Sequence, residues 1–182
     1  MSSVSFVCPV FNKAKFLPRV LAAIASQHGN FSREYIFVDD GSSDDSLAVL
    51  RRETAGWENV TIIEQSNHGS AHATNRGVEA AKMDFIKFVD ADDEIHRDAT
   101  QILLDAMSAH PDAGLAFGQR IYFHDGDAID LTTPIHMPYY NRLDYPLRDV
   151  IKNCWFNPSQ FLVRRDLCQE VGGCDERAIH SQ

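Results

Sequence analysis

Apolar residues in this chain fall into short runs and longer stripes that alternate along its length. Ser5 to Val10 is a compact apolar run ending around Pro9, the pattern of a buried strand. Phe16, Leu17, Val20, Leu21 and Ile24 then recur at the spacing that lines one helix face, ending near Gln27. Tyr35 to Val38 predicts a second buried strand, cut off by Asp39-Asp40-Gly41-Ser42-Ser43. Ser42 or Ser43 can cap the next helix, with Asp44 and Asp45 in its first turn favouring the dipole. Val60 to Ile63 predicts a third strand, Asn67-His68-Gly69-Ser70 a turn and cap, and a third helix runs to about Lys82. Phe85 to Val89 predicts a fourth strand. Ala99, Ile102, Leu103, Ala106 and Met107 mark a fourth helix ending near His110-Pro111, and Gly114 to Ile121 reads as a fifth strand.

Strand and helix thus alternate as βαβαβαβαβ, the order of a doubly wound, mostly parallel α/β sheet with helices on both faces. Tyr122 to Tyr145 breaks the pattern: it is polar and aromatic, punctuated by Pro134 and Pro138 with Pro146 just beyond, and is expected to be a long functional loop. A short strand from Gln160 to Val163 and a helix starting near Asp166 close the pattern.

Composition narrows the partners more than the fold. At 182 residues with 44% hydrophobic and 24% charged residues, the chain suits one soluble α/β domain with a sizeable core. A net charge of −9 and a pI near 5.2 argue against nucleic acid as the main partner, because phosphate backbones need a basic footprint. They leave nucleotide binding open, since a divalent cation carries positive charge locally. Cys8, Cys154, Cys168 and Cys174 form no Cys-x-x-Cys pair, so reduced thiols are expected rather than zinc or a disulfide framework. With no leader pattern and no apolar run near the ~18 residues of a membrane span, the expected location is the cytoplasm or the cytoplasmic face of a membrane.

The chemistry concentrates at strand ends. Phe85-Ile86-Lys87-Phe88-Val89 runs straight into Asp90-Ala91-Asp92-Asp93-Glu94, delivering carboxylates to the carboxyl edge, where open α/β sheets bind ligands. Carboxylates this close repel one another unless a cation sits between them. Magnesium or manganese suits such oxygen ligands and bridges them to substrate phosphates. The plainer alternative is a solvated acidic turn capping the following helix. A second acidic strand end, Val38-Asp39-Asp40-Gly41, weighs toward a nucleotide site.

Four motifs in order then become distinctive: Pro9-Val10-Phe11-Asn12, Val38-Asp39-Asp40-Gly41-Ser42-Ser43-Asp44, Asn67-x-Gly69 with Asn75-Arg76-Gly77, and Val89-Asp90-Ala91-Asp92-Asp93. Gly172-Gly173-Cys174-Asp175-Glu176 is similar to a fifth, usually Gly-Gly-Phe-Asp-Glu. The set, spanning Ser5 to Gln182, resembles the family two glycosyltransferases, GT-A-fold enzymes that use nucleotide-diphosphate sugars. The resemblance implies a Rossmann-like nucleotide-sugar-binding half over residues 1–121 and the start of an acceptor-binding half over 122–182. It implies that Asp90 and Asp92 serve the metal and the ribose-diphosphate, with Asp92 the better match for Mg2+ or Mn2+ itself. Asp40 matches the position that accepts a hydrogen bond from the base, a UDP-sugar being the expected donor, and Pro9, Phe11 and Asn67 join the donor site. Asp93 as a helix cap, Asn12 as a turn former and Asp39 as a turn carboxylate remain open alternatives to ligand roles. The implied reaction is an inverting transfer to a glycan or lipid-linked acceptor in cell-envelope polysaccharide synthesis, with peripheral membrane association through segments outside this sequence.

The departures matter as much. Ala73-Thr74-Asn75-Arg76-Gly77 puts Thr74 where the family usually has arginine, leaving His72 as a nearby candidate for the diphosphate. After Gly-Gly-x-Asp-Glu the family usually places its general base some six residues on; Arg177 to Gln182 fill that spacing, so the base is expected just past Gln182, none within the chain, with His180 as a possible substitute. On that reading the sequence is a fragment that binds donor and transfers poorly. Tyr139, Tyr140 and Trp155 are candidates to stack on sugar or to pack. A sugar nucleotidyltransferase would need a glycine-rich basic loop after the first strand, which Pro9 to Lys13 lack. A phosphate-receiver domain would carry its acidic pair after the first strand, where Cys8-Pro9 stands. A nucleotide-sugar-binding module without turnover stays as the non-enzymatic alternative.

Overall fold

The computed structural model describes residues 1–124, 127–135 and 157–177. Cys154, Trp155, Tyr139, Tyr140 and His180 lie outside the described residues. The strands are β1 Ser3–Val10, β2 Ser32–Asp39, β3 Val60–Glu64, β4 Phe85–Phe88, β5 Leu115–Phe117 and β6 Phe161–Arg164. The helices are α1 Leu17–Ala25, α2 Ser46–Glu53, α3 Ser70–Ala80, α4 Ala99–Ala109 and α5 Arg165–Glu170, with a 3-10 turn at Pro158–Gln160.

They form one six-stranded sheet in the order β3-β2-β1-β4-β6-β5. β1 pairs in parallel with β2 and β4, and β2 with β3, whereas β6 runs antiparallel to both β4 and β5. The expected mostly parallel, doubly wound sheet is therefore present, with one reversed strand near its edge. β1 is the switch point: the chain leaves it toward β2 on one side and returns to β4 on the other. Such reversals open a crevice at the carboxyl ends of the strands.

Alternation along the strands divides the core between two faces. Phe6, Cys8 and Val10 face one layer with Leu17, Leu21 and Ile24 of α1, Leu50 of α2, and Leu103 and Met107 of α4. Val7, Ile36, Val38, Ile86 and Phe88 face the other, against Ala73 and Val78 of α3 with Cys168 of α5. α3 lies close enough that a side chain on Gly77 would overlap Val7 of β1.

Two boundaries differ from expectation in ways that bear on the edge of the sheet. β5 ends at Phe117 rather than Ile121, because its partner ends: Phe117 pairs with Phe161, and the chain before it turns at Pro158, which has no N–H to give. Ile121 and Tyr122 are consequently exposed. α2 starts at Ser46, so Ser42 and Ser43 do not cap it and Asp44 and Asp45 precede its first turn. The Asp44 carboxylate instead accepts the amide and hydroxyl of Ser46 from outside the helix.

Candidate active site at the carboxyl edge of the sheet

The loops after β1 and β2 are laced together. Asn12 takes a left-handed backbone, φ 53°, and its Oδ1 accepts the Ser43 amide at 2.8 Å and the Asp44 amide at 3.3 Å. Ser42 Oγ accepts the Asn12 amide in return, Ser46 Oγ the Lys13 amide, and Asp44 the Ala14 amide. Of the two roles open to Asn12, the geometry gives it the structural one, a turn former that ties two loops. Pro9 and Phe11 are half-buried beside this lacing.

Asp39 and Asp40 are both buried, and their bonding separates them. Asp40 turns inward under the loop after β3: Oδ1 accepts Gln65 Nε2 at 2.7 Å and the His68 amide at 2.9 Å, and Oδ2 accepts the Gly69 amide at 2.9 Å. It thereby satisfies amides ahead of α3, whose first helical residue is Ser70. Asp39 accepts the Ser42 amide through Oδ2 at 3.3 Å, while its Oδ1 is buried without any partner. Native structures rarely leave such an acceptor unpaired away from functional sites. Gly41, at φ 73°, lets the two loops close: a Cβ there would stand 2.8 Å from the Asn67 amide nitrogen. Asn67 itself is exposed at the rim.

β4 carries the acidic cluster to the same edge. Asp90 is half-buried, its amide donating to Ser159 Oγ at 2.8 Å, and the Asp93 amide bonds back to its carbonyl at 3.0 Å. Asp93 belongs to this turn and does not cap the next helix, which starts at Ala99 behind Asp98. Burial, then the Asp93 and Asp92 charges, push the Asp90 carboxyl up to about 6, with Lys87 and Lys13 partly opposing. Asp92 is exposed and its Oδ2 holds Lys13 Nζ at 2.7 Å. Lys87 in β4 is fully buried, and burial lowers its ammonium pKa to about 7, against the opposing pull of Asp90 and Asp93. Cys8, between these charges and the core, has its thiol pKa pushed up by burial first and then by Asp90, Asp92 and Asp93, as befits an inert buried thiol.

The donor set fits a divalent ion. Asp92 already binds a cation on its exposed oxygen, and Asp90 is destabilised by neighbouring carboxylates that a cation would relieve. Two carboxylates are what magnesium or manganese takes from a protein when substrate phosphates complete the shell. A cleft of about 460 Å3 lined by Asp84, Phe85, Arg164 and Arg165 lies at the opposite, amino-terminal end of β4. It brings none of these carboxylates together.

α3 joins the late motif to the site. Asn75 Nδ2 donates to the Cys174 carbonyl at 3.0 Å and to Glu176 Oε1 at 2.8 Å, and its Oδ1 accepts the Cys174 amide at 2.8 Å. Gly173, at φ 74°, passes so near that a Cβ would overlap Asn75 Oδ1. Thr74 is half-buried and Arg76 exposed, while His72 Nδ1 lies 3.0 Å from Gln65 Nε2 and its ring packs on His68. Sequence reasoning singled out Asn75 within a motif but missed that it clasps the Gly-Gly-Cys-Asp-Glu loop; its two-sided amide was the available signal.

Residues 5–172 match the model of glycosyl transferase family 2, and the chain belongs to that family. Over 115 residues it is 28% identical to the Escherichia coli K12 protein described as an uncharacterized glycosyltransferase, YibD, covering 63% of this chain and 33% of that protein. Over 177 residues it is 29% identical to the Myxococcus xanthus O-antigen biosynthesis protein RfbC, covering 95% of this chain and 13% of that one. The chain thus spans a minor part of the length of these relatives. Among solved structures, S. aureus TarS 1-349 superposes with TM-score 0.75 at 20% identity, over 100% of this chain and 52% of that one. The Pyrobaculum calidifontis mannosyltransferase PcManGT, in complex with GDP-Man and Mn2+, gives TM-score 0.68 at 21% identity, over 95% and 47%. The fold is the GT-A fold of these neighbours. Among the described residues, no helix is long and apolar enough to cross a membrane.

Proposed function

We propose that this chain is the donor-binding part of an inverting glycosyltransferase that moves a sugar from a nucleoside-diphosphate sugar, a UDP-sugar in the first instance, to an acceptor hydroxyl in cell-envelope glycan synthesis. The observation that carries the reading is the pairing of an unpartnered buried acceptor, Asp39 Oδ1 at the end of β2, with the Asp90–Asp92 pair beyond the end of β4. β2 and β4 flank β1 on opposite sides, so the two features border one crevice at the switch point. TarS has been solved with UDP-GlcNAc and PcManGT with GDP-Man and Mn2+, which supports donors of this class.

In this reading Asp39, rather than Asp40, accepts the ring N–H of the base, because Asp40's oxygens already serve three protein donors. Pro9 and Phe11 border the base, and Asn67 stands at the rim. Asp92 and Asp90 would hold Mg2+ or Mn2+, which supplies electrostatic stabilisation for the departing diphosphate. The acceptor oxygen forms its bond to the anomeric carbon as the bond to the diphosphate oxygen breaks, and the acceptor proton passes to a base. None of the described residues is assigned that role. Asn75 holds the loop of Cys174 and Glu176.

The reading is tested by incubating the full-length protein with Mn2+ and a panel of UDP-, GDP-, TDP- and CMP-sugars, with and without glycan and lipid-linked acceptors. Release of nucleoside diphosphate from one donor class, stimulated by acceptor, is expected. Release of pyrophosphate from nucleoside triphosphate and sugar phosphate would instead show a nucleotidyltransferase.

A further inference from the structure

Lys87 is the anomaly of the core. Strand alternation predicts an apolar residue at its position, between Phe6 of β1 and Leu162 of β6 in register, yet an ammonium sits there with no exposure to water. Burying a charge is costly unless it is hydrogen-bonded in place. Lys87 Nζ donates to the carbonyl of Phe88 at 3.0 Å and to the carbonyl of Ser159. Ser159 is held from its other side as well, its Oγ accepting the Asp90 amide at 2.8 Å. The Pro158–Gln160 turn is thus fastened to the end of β4 by two bonds that share Ser159, one from the strand interior and one from the first acidic residue. The same turn leads directly into β6, which is held between β4 and β5. Asp90 and Asp93 both lie within electrostatic reach of the buried ammonium.

We propose that Lys87 is a positioning residue for the donor site: its buried Nζ clips the Pro158–Gln160 turn to β4, which fixes the Asp90 backbone through Ser159 beneath the acidic cluster. This rests on the reading of Asp90 and Asp92 as the metal-diphosphate carboxylates. Groups that orient metal ligands from behind typically change metal affinity by about 10- to 100-fold when removed. A lysine serving stability alone would leave that affinity unchanged, and replacing a buried charge by an apolar group of similar shape is itself often neutral or stabilising.

The test compares wild type, Lys87→Met, Ser159→Ala and the double variant by thermal unfolding, amide hydrogen exchange at Asp90, and calorimetry of UDP with and without Mn2+. Expected for both single variants are faster exchange at Asp90 and Mn2+-dependent UDP binding weakened by about 10-fold, with Lys87→Met folded and at least as stable as wild type. The double variant should lose no more than the worse single one, because both act through Ser159. Should Lys87→Met fail to fold, Lys87→Gln, which keeps a buried polar donor on a shorter side chain, decides by the same two readouts. Unchanged exchange at Asp90, or additive losses in the double variant, would overturn the clip. Failure of the wild type to bind UDP with Mn2+ would overturn the donor-site reading separately, without altering what the exchange measurement says of the clip.

Discussion

Lys13 Nζ lies 2.7 Å from Asp92 Oδ2, so the carboxylate best exposed to a metal already holds a cation contributed by the loop after β1. Both side chains are substantially exposed, and pairs of this kind are worth about 0.2–1 kcal/mol. Lys13→Met should therefore strengthen binding of Mn2+ alone by roughly 1.5- to 5-fold at low ionic strength, with the gain shrinking as salt is added. Titration of Mn2+ followed by electron paramagnetic resonance measures it. An unchanged or weaker affinity would show that Lys13 does not compete for the site.

Asp39 and Asp40 should separate cleanly by mutation. Asp40→Ala strands the Gln65 amide and the His68 and Gly69 amides, and is expected to cost at least about 2 kcal/mol of stability. Asp39→Asn keeps the shape and the Ser42 amide contact but turns the unpartnered acceptor into a group that can present N–H. It should leave stability within about 1 kcal/mol while weakening UDP by about tenfold or more. Denaturant unfolding and calorimetry on the two variants check the contrast, and the reverse pattern would return base recognition to Asp40.

Asp90 gives the site a pH dependence. Its folded pKa of about 6 lies above the ordinary carboxyl value of 3.8, so the native state binds more protons than the unfolded chain between those values. This group alone therefore makes the fold less stable as pH rises through that window, the opposite of a salt-bridged carboxylate. Metal binding needs the carboxylate, so Mn2+ affinity should fall as pH drops below about 6. Asp90→Asn should remove that dependence along with most of the affinity. Mn2+ titrations from pH 5 to pH 8 measure it.

Gly173→Ala should be destabilising by about 1–3 kcal/mol, because the residue has φ 74° and its Cβ would overlap Asn75 Oδ1. Asn75→Ala should loosen the same loop without the backbone strain. Hydrogen exchange over residues 172–176 and thermal unfolding distinguish the two effects: both variants should exchange faster there, and Gly173→Ala should lose more stability.

Most of the scaffold was legible from period alone. The runs at β1, β2 and β4 and the stripes of α1 and α4 fall where hydrophobic spacing puts them, and Asp90 and Asp92 follow from where β4 must end. What escaped depended on partners distant in sequence. β5 is short because β6, more than forty residues later, ends its pairing at Phe161. By resemblance Asp40 took the base and Asp39 the turn; only the loop after β3, which brings Gln65, His68 and Gly69 over Asp40, occupies Asp40's oxygens and leaves Asp39 the open acceptor. Lys87 was not singled out, because the Ser159 carbonyl that holds its ammonium comes from 72 residues further along the chain.

The central claim, a metal-dependent nucleoside-diphosphate site at the carboxyl edge of β2 and β4, is tested most directly by calorimetric titration of UDP into wild type and Asp92→Asn, each with Mn2+ and with EDTA. The expected result is binding by wild type with Mn2+, a loss of at least about 10-fold in EDTA, and a similar loss in Asp92→Asn with Mn2+ present. Equal UDP affinity in all four conditions would contradict it.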